Sequence, residues 1–452
     1  MSLKTNFASF FAKLTRRTLR LLGREGTFYS GEAALLIDKN YIDNVNKPNN
    51  IICITGTNGK TTTNNMISDL LDILGKTYIS NRLGSNTISG IASMLSQSPF
   101  SEKKTAEFAI VEQDELWMRH YNNQLKPNSL TVTNLFQDSF DRNSNVDYVF
   151  RRINEAINDD MKLILNASDS ISAYLGSDRN KRAYFTIRPL NGEKECIDSK
   201  IQDMIYCPNC DDLLTWKFKR YHHIGEYLCE NCGFKNPPAQ YIVTDIDKDN
   251  NLLYILDHDL AYSLPLVSSS IENSYNQIAA YATLREYGFS AEELIGAFEN
   301  IEVVSSRLNT IQIGPKKVIT MVSKGINPVA TSRSFFNISN AIGKKTVIYL
   351  PDYGQDDLPN ANQSWMYNTD MKYAQDIDLV IFYGKFGYPL KTTALLDGVD
   401  RSKLIIVDDL EQIKDYIDPN SEETIYILKD IDDYAQSLTD KTKLYIKEIV
   451  EA

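Results

Sequence analysis

The chain has 452 residues and a formal net charge of −11, which predicts two or three domains and excludes general nucleic-acid binding, since that requires a basic surface. No apolar run approaches the length of a membrane-spanning helix, and the N-terminus lacks a signal-peptide cleavage pattern, so the sequence favours a cytoplasmic protein. Six cysteines in so long a chain do not indicate a disulfide scaffold.

The first predicted element is an amphipathic helix over residues 7–22. Its apolar residues alternate with the basic residues Lys13, Arg16, Arg17 and Arg20. Such a helix favours either peripheral contact with anionic lipid at the inner face of the membrane or packing on its own domain with a basic outer face. We assign it, with the segment that follows, to an N-terminal region of residues 1–45.

A glycine-rich run follows, Cys-Ile-Thr-Gly-Thr-Asn-Gly-Lys-Thr-Thr-Thr at residues 53–63, between an apolar strand candidate and a stretch with helical spacing. Glycine lets the backbone turn its N–H groups toward phosphate, lysine supplies a positive charge, and the first threonine hydroxyl after it can ligate Mg²⁺. A chance glycine turn is the alternative. The run predicts ATP binding by Gly56, Thr57, Asn58, Gly59, Lys60, Thr61 and Thr62, with Thr61 on Mg²⁺.

The shortened motif Gly-Thr-Asn-Gly-Lys-Thr, residues 56–61, resembles the Mur ligase family of ATP-dependent amide-forming enzymes of peptidoglycan synthesis. Enzymes of this family phosphorylate a carboxylate and then let an amine attack the acyl phosphate. Folate-polyglutamate ligases and cyanophycin synthetases share the motif. The resemblance implies a central P-loop ATP-binding domain, which we place at residues 46–311.

An acidic turn follows the predicted strand Phe108–Val111. A carboxylate at the carboxyl end of a strand beside a P-loop is well placed to bind Mg²⁺. Glu112 matches the metal-binding glutamate of Mur ligases, so we assign it a catalytic, Mg²⁺-binding role ahead of Asp114 and Glu115. A solvated acidic turn is the alternative.

The next strand candidate, from Leu130, leads into a segment similar to the Asn-x-x-x-Asp-x-x-Asp-Arg pattern that lies near nucleotide and metal in this family. The resemblance implies such roles for Asn134, Asp138, Asp141 and Arg142. Helix capping by Asp138 and an ion pair between Asp138 and Arg142 would account for the same residues.

Two Cys-x-x-Cys pairs form the second strong signal. They are Cys207, Cys210, Cys229 and Cys232. Two such pairs predict a closed, structural Cys₄ zinc site in an insertion at about residues 200–240, with redox chemistry as the alternative. Acidic and basic residues are balanced in this stretch, which argues against a nucleic-acid-binding ribbon.

A Mur-type P-loop combined with a Cys₄ ribbon resembles the MurT family, the synthetase subunits of lipid II isoglutaminyl synthase. The similarity runs from about Leu21 to the C-terminus and includes Gly31 and the residues around the ribbon cysteines. It implies lipid II as substrate and a heterodimer with a GatD-like glutaminase subunit. None of the cysteines lies in a recognisable Cys–His glutaminase arrangement, so a separate ammonia supplier makes chemical sense.

Two further segments resemble nucleotide contacts of the family. Asn273 and Asn276 match an Asn-x-x-Asn helix start that meets adenine, although both could instead be helix-capping residues. Arg307 matches an arginine that reaches the phosphates, although Ser306 replaces the usual glycine and Asn309 the usual glutamate.

The C-terminal third, residues 312–452, alternates strand and helix candidates, which predicts a Rossmann-like α/β domain. The strand candidates are Val318–Val322, Thr346–Leu350, Leu379–Phe382, Leu404–Val407 and Thr424–Leu428, and the helical stretches include Asn327–Ile342 and Leu410–Ile417. The predicted fold is thus α/β throughout: a Mur ligase-type central domain with an inserted zinc ribbon, then a Rossmann-like domain.

An acidic segment of this last domain departs from the MurT pattern. There the family supplies an aspartate that completes the catalytic site of the glutaminase partner. Three extra residues precede Ser364-Trp365 here, so we assign that role to Asp356, with Asp352 and Asp357 as competitors. A solvated acidic loop is an equal alternative.

Together these features predict ATP-dependent amidation of the α-carboxyl of D-glutamate in lipid II, through an acyl phosphate and with ammonia from the partner. Two alternatives stay open: a paralogue that acts on another carboxylate, and a non-catalytic scaffold that binds nucleotide. The P-loop and acidic residues support the nucleotide half directly, whereas the resemblance alone implies the substrate and the partner.

Overall fold

The computed structural model describes residues 2–24, 26–82, 85–98, 105–137, 145–193, 196–301, 308–323, 327–351, 363–430 and 433–451. The chain forms two compact units. The first comprises residues 1–135, 146–198 and 202–303, and the second comprises residues 136–145, 199–201 and 304–452.

The first unit is built on a large, mostly parallel sheet. Its helices are α1 (Leu3–Leu21), α2 (Tyr29–Ile37), α3 (Tyr41–Asn44), α4 (Lys60–Ile73), α5 (Ile88–Leu95), α6 (Asn122–Leu125), α7 (Val146–Ala156), α8 (Ile271–Arg285) and α9 (Ala291–Phe298). Its strands are β1 (Asn50–Thr55), β2 (Tyr78–Ser80), β3 (Phe108–Glu112), β4 (Ser129–Val132), β5 (Lys162–Asn166), β6 (Arg182–Ile187), β7 (Thr215–Tyr221), β8 (Ile224–Leu228), β9 (Tyr241–Asp247), β10 (Leu252–Asp257) and β11 (Leu260–Pro265).

Nine of these strands form one sheet in the order β11-β10-β9-β6-β5-β4-β1-β3-β2, whereas β7 and β8 form a separate hairpin. Pairing is parallel from β2 to β9 and antiparallel from β9 to β11. The central strand β1 is buried on both faces, as its apolar run Ile51–Ile54 requires of a parallel strand covered by helices. Because β1, β3, β4 and β5 are parallel, their carboxyl ends meet at one edge, where the predicted nucleotide residues follow the strands.

Helix α1 packs on this unit through one narrow face of small residues. Ala8 and Ala12 join its core, and the Ser9 hydroxyl lies 2.7 Å from the Tyr41 hydroxyl. The helix thus packs on its own unit, as one alternative assumed, but its outer side exposes large apolar residues together with the basic Lys4, Arg17 and Arg20. Gly31 of α2 lies so close to α5 that a Cβ there would be 1.7 Å from the Ser89 carbonyl oxygen.

The second unit is a Rossmann-like α/β layer. Its strands are β12 (Leu308–Ile313), β13 (Lys316–Val322), β14 (Lys345–Leu350), β15 (Leu379–Tyr383), β16 (Leu404–Val407) and β17 (Glu423–Lys429), and its helices are α10 (Pro328–Ser339), α11 (Ser364–Tyr367), α12 (Gly387–Leu396) and α13 (Asp433–Glu451). The sheet order is β12-β13-β17-β14-β15-β16, and only the β12–β13 pair is antiparallel among the described strands.

All five strands predicted for this domain are confirmed, with ends that differ by at most two residues. Helix α10 begins where expected because the Asn327 side chain accepts a hydrogen bond from the Ala330 amide and Pro328 occupies the first helical position. It ends at Ser339, earlier than predicted. The stretch predicted as helical over 410–417 is a short 3₁₀ helix, Leu410–Asp415.

Candidate nucleotide and zinc sites

The loop between β1 and α4 has a backbone that only glycine accommodates at two positions. Gly56 has φ +133° and Gly59, which precedes α4, has φ +86°. A Cβ on Gly56 would lie 2.2 Å from the Thr133 hydroxyl oxygen, and one on Gly59 would lie 2.1 Å from Asn276 Oδ1. The loop therefore packs tightly against the end of β4 on one side and α8 on the other, so a chance glycine turn does not account for it.

Asn134 holds this loop from the end of β4. Its Oδ1 accepts a hydrogen bond from the Asn58 amide and its Nδ2 donates to the Asn58 carbonyl, both at 3.0 Å. The Asn134 carbonyl also accepts from the Thr57 amide at 2.9 Å. The side chain thus shapes the P-loop, and direct nucleotide contact by Asn134 stays a prediction.

Lys60 lies over the loop with its amino group engaged on two sides. It lies 2.6 Å from Glu115 Oε1 and donates a hydrogen bond to the Gly56 carbonyl. The two charged side chains are only 11% and 9% exposed. In the first turn of α4, Thr61 is exposed and Thr62 is partly buried. Because Lys60 lies at a helix N-terminus, which favours anions, a phosphate could replace the Glu115 carboxylate as the ion-pair partner of its amino group.

The acidic turn after β3 is not solvated, so the alternative of a solvated turn was wrong. Asp114 and Glu115 are 4% and 7% exposed, and Glu115 forms the ion pair with Lys60. Glu112 pairs with Ile54 in the sheet register, which brings it to the edge that carries the P-loop. Its backbone amide and carbonyl both bond to the Asn81 side chain at 2.8 Å. The assignment of Mg²⁺ to Glu112 and Thr61 stays a prediction.

Helix α8 brings Asn276 to the P-loop. The Ser270 side chain caps this helix by accepting a hydrogen bond from the Asn273 amide, so the alternative that Asn273 and Asn276 are caps was wrong. Asn276 Nδ2 donates to Asn273 Oδ1 at 3.3 Å, while Asn276 Oδ1 packs on Gly59. Contact of either asparagine with adenine stays a prediction.

Several predicted site residues lie outside the described part of the chain. They are Asp138, Asp141, Arg142, Arg307, Asp352, Asp356 and Asp357.

The four ribbon cysteines converge. Their sulfur atoms all lie within 4.8 Å of one another, with 3.4 Å between Cys207 and Cys232 and 3.5 Å between Cys210 and Cys229. These separations are far too long for disulfides. Tetrahedral zinc with Zn–S bonds of about 2.3 Å would hold its sulfurs about 3.8 Å apart, so the cluster fits such an ion.

The two halves of the cluster share one backbone pattern. In each knuckle the amide four residues after the first cysteine, that of Asp211 or Gly233, donates to the carbonyl of that cysteine at 2.9 Å. The amides of Cys207 and Cys229 each donate to a carbonyl five residues later at 2.7 Å. Asp211 and Gly233 both have positive φ, 59° and 76°. Such paired turns present four thiolates to one structural ion and favour zinc binding over redox chemistry.

Comparison with known proteins agrees with this geometry. Residues 54–224 match the Mur ligase middle domain family. The chain is 31% identical over 382 residues to the lipid II isoglutaminyl synthase (glutamine-hydrolyzing) subunit MurT of Staphylococcus aureus (strain COL), covering 83% of this chain and 84% of that relative.

This chain belongs to the MurT family. It is also 26% identical to the MurT subunit of Streptococcus pneumoniae (strain ATCC BAA-255 / R6), over 95% of each chain. A pseudomurein peptide ligase type C from Methanothermus fervidus has the same fold, with a TM-score of 0.67 at 22% identity over 90% of this chain and 79% of that one.

Membership of the MurT family makes this chain an ATP-dependent carbon–nitrogen ligase of peptidoglycan synthesis. The family implies ATP and Mg²⁺, and the P-loop residues described above fit a nucleotide with its metal. Among the described residues, no helix combines the length and hydrophobicity that crossing a bilayer needs.

Sequence reasoning missed Asn81 and Thr133 of this MurT-family site. Asn81 fixes the backbone of Glu112, and the Thr133 hydroxyl donates to the Asn58 carbonyl at 2.6 Å. Both follow the carboxyl ends of strands, where ligand-binding residues of such sheets gather. That rule could have identified Thr133, but β2 has only three residues and gives no strand signal ahead of Asn81.

A cavity of about 920 Å³ in the described part lies elsewhere. It is lined by residues at the amino ends of β1 and β3, including Asn50 and Phe108. Since the P-loop is at the carboxyl ends of these strands, this cavity is not the nucleotide site.

Proposed function

We propose that this protein amidates the α-carboxyl of D-glutamate in the stem peptide of lipid II, giving D-isoglutamine, ADP and phosphate. The observation that carries the proposal is a Mur-type P-loop, with Lys60 at its centre, in a chain whose relatives bear the name lipid II isoglutaminyl synthase (glutamine-hydrolyzing) subunit MurT.

The proposed chemistry has two steps. A carboxylate oxygen of the substrate attacks the γ-phosphorus of ATP, and the bond from that phosphorus to the β-γ bridging oxygen breaks. ADP departs, and the substrate carries an acyl phosphate. The lone pair of ammonia then attacks the acyl carbon, phosphate leaves with the former carboxylate oxygen, and a proton is lost to give the amide. Lys60 would orient the phosphates and balance their charge. Mg²⁺ held by Thr61 and Glu112 would neutralise charge on the phosphates.

We further propose that a separate glutaminase subunit of the GatD type supplies the ammonia. The words glutamine-hydrolyzing and subunit in the relatives' names support this partner. Asp356 is our candidate for the residue that completes the partner's catalytic site.

The test is mass spectrometry of lipid II after incubation with the protein, a GatD-type glutaminase, glutamine and ATP. We expect the small mass decrease that replacement of one hydroxyl by an amino group gives, and its loss in the Lys60→Ala variant. ATP hydrolysis without a mass change would reject lipid II and favour another carboxylate. A wild-type protein that binds but does not hydrolyse ATP in the presence of these substrates would favour a scaffold.

We also propose peripheral contact of α1 with anionic lipid at the inner face of the membrane. One side of the helix exposes five large apolar residues, each 47–90% exposed: Leu3, Phe7, Phe10, Leu14 and Leu21. Residues 1–24 contain six basic residues and no acidic one, in a chain of net charge −11. An exposed apolar stripe beside cations suits insertion among anionic headgroups.

Vesicle flotation tests this surface. The protein should float with vesicles that contain phosphatidylglycerol and not with phosphatidylcholine alone. The double variant Phe7→Ser, Phe10→Ser should lose this binding, whereas Leu444→Ser, at another exposed apolar position, should keep it. Self-association that the same double variant abolishes, without vesicle binding, would identify the stripe as a protein interface instead.

A further inference from the structure

The ribbon hairpin, which we define as β7, β8 and the His222-His223 turn, joins the zinc site to the rest of the first unit. At one end β8 runs directly into Cys229. At the other end the turn is buried, with His222 and His223 exposed by only 2% and 1%. The Gly225 amide donates to the Ser168 carbonyl at 2.8 Å, which fixes the hairpin beside the end of β5.

Arg220 of this hairpin reaches the helix that flanks the P-loop. Its guanidinium is 3% exposed and bonds to both carboxylate oxygens of Glu193 at 2.7 Å. It also donates to the hydroxyl of Tyr275 at 2.6 Å. Tyr275 immediately precedes Asn276, whose side chain packs on Gly59. Arg220 therefore binds the α8 residue that immediately precedes the one in contact with the P-loop.

His223 reaches a second contact of the P-loop, the end of β4, through a buried carboxylate. Its Nε2 lies 3.4 Å from Asp169 Oδ1, and its Nδ1 lies 3.5 Å from Asp203 Oδ2. The other oxygen of Asp169 accepts a hydrogen bond from the Leu135 amide at 2.8 Å. Leu135 follows Asn134, which holds the P-loop backbone on both sides of Asn58. One fully buried carboxylate thus binds both the ribbon hairpin and the strand end that shapes the loop.

We propose that the ribbon hairpin sets the geometry of the nucleotide site, that Arg220 and His223 are its positioning residues, and that zinc binding is thereby coupled to nucleotide affinity. The inference rests on the proposed function only in taking the P-loop as the site of nucleotide binding. The physical reason is that buried charges tolerate few arrangements, because any movement that separates them exposes uncompensated charge to a low-dielectric interior. A hairpin fixed by zinc at its base limits the positions of both charged residues.

Coupling of this kind is reciprocal, so zinc should tighten nucleotide binding and nucleotide should slow zinc loss by linked free energies. The experiment uses the full-length zinc-loaded chain and Mg²⁺-ADP as the probe, with affinity measured by calorimetry. We expect His223→Gln and Arg220→Gln to weaken ADP binding about tenfold, a typical size for coupling between two sites. Zinc content, measured by atomic emission, should stay at one ion per chain.

Lys217→Gln is the matched control. Lys217 lies on the same strand and carries the same charge as Arg220, but it is exposed, so its replacement should leave ADP affinity unchanged. A second measurement avoids variants that fold poorly. Saturating ADP should slow the release of zinc from the wild-type chain to a colorimetric chelator, and a chelated chain that keeps its circular dichroism spectrum should bind ADP more weakly.

Equal ADP affinity of the zinc-loaded and zinc-free chains, or of His223→Gln and wild type, would overturn the coupling while leaving the proposed reaction intact. Failure of the zinc-loaded wild-type chain to bind ADP at all would overturn both. A loss of affinity that appears only together with loss of zinc from both variants would reject Arg220 and His223 as the positioning residues.

Discussion

Lys60 and Glu115 form an ion pair across the phosphate-binding loop, with 2.6 Å between Nζ and Oε1, although 55 residues separate them in the chain. The pair joins the start of α4 to the turn after β3. It holds the lysine amino group over the loop, where it also donates to the Gly56 carbonyl. If Lys60 binds nucleotide as proposed, the phosphates would compete with the Glu115 carboxylate for its amino group.

The Lys60–Glu115 pair predicts that a second substitution at Glu115 restores part of the stability lost on replacing Lys60 but none of the ATP hydrolysis. Lys60→Met leaves the Glu115 carboxylate nearly buried without its cation and should cost roughly 2–3 kcal/mol in the free energy of unfolding. Adding Glu115→Gln removes the uncompensated charge, so the double variant should recover part of that loss, with a coupling energy of about 1–2 kcal/mol. ATP hydrolysis should fall at least about 100-fold in both variants, because the phosphate contact is gone in each.

Urea unfolding and steady-state phosphate release measure the two effects. Additive stability changes in the double variant would show that the pair contributes nothing. Restored hydrolysis in the double variant would contradict the phosphate-binding role of Lys60.

The second prediction concerns Gly59, where an added Cβ should cause both backbone strain and a steric clash, and a control glycine separates the two. Gly59→Ala should destabilise the fold by about 1–3 kcal/mol and weaken ADP binding, because its Cβ would collide with Asn276 Oδ1 at 2.1 Å. Gly75→Ala is the control, since Gly75 has φ +68° but no atom within 4 Å of the added Cβ. It should show the strain alone and keep its ADP affinity. Equal ADP affinities of the two variants, measured by calorimetry, would reject Gly59 as a close contact of the site.

The sequence predicted those parts of the structure in which a local pattern of residues determines the local fold. The apolar run Phe108–Val111 needs burial on two faces, and β3 spans Phe108–Glu112 as expected. The P-loop and the paired Cys-x-x-Cys turns were predictable because each has a sequence motif whose glycines or cysteines lie within a few positions of one another. Helix α1 was predicted over 7–22 and spans Leu3–Leu21.

What the sequence did not predict depends on partners that are distant in the chain. The sequence is compatible with a solvated acid at Glu115, because nothing in it indicates that Lys60 lies beside the carboxylate. His223 forms no motif in the sequence, since its carboxylate neighbours Asp169 and Asp203 have no fixed spacing from it. Buried charges are uncommon, so composition alone favours placing such residues at the surface.

Glu112 supports a third prediction, which isolates the metal. Glu112→Gln keeps the backbone hydrogen bonds to Asn81, so the fold should remain intact. It removes a carboxylate oxygen that Mg²⁺ favours, so ATP hydrolysis should fall roughly 100-fold and require more Mg²⁺. ADP binding without Mg²⁺ should be unchanged. The control Glu107→Gln, near the opposite end of β3, should keep the wild-type Mg²⁺ dependence. An unchanged Mg²⁺ titration in Glu112→Gln would contradict the assignment of Mg²⁺ to Glu112 and favour another carboxylate as its ligand.

His223 predicts how stability depends on pH. Burial alone would lower the pKa of its imidazole, but Asp169 and Asp203 on its two sides outweigh this and raise the pKa from 6.5 to about 10. The same ion pair, against the opposing effect of burial, lowers the pKa of Asp169. Because the folded chain holds the His223 proton more tightly than the unfolded chain, the stabilisation is fully present below about pH 6.5. It decreases as pH rises and is lost as pH passes about 10.

The measurement is urea unfolding of wild type and His223→Gln from pH 6 to pH 10 with zinc in excess. The difference in unfolding free energy between the two proteins should be largest near pH 6 and should narrow steadily toward pH 10. Comparing the two proteins removes the titration of lysines, tyrosines and thiols that they share. A wild-type advantage over His223→Gln that stays constant or grows toward pH 10 would mean that His223 is not held protonated between the two aspartates.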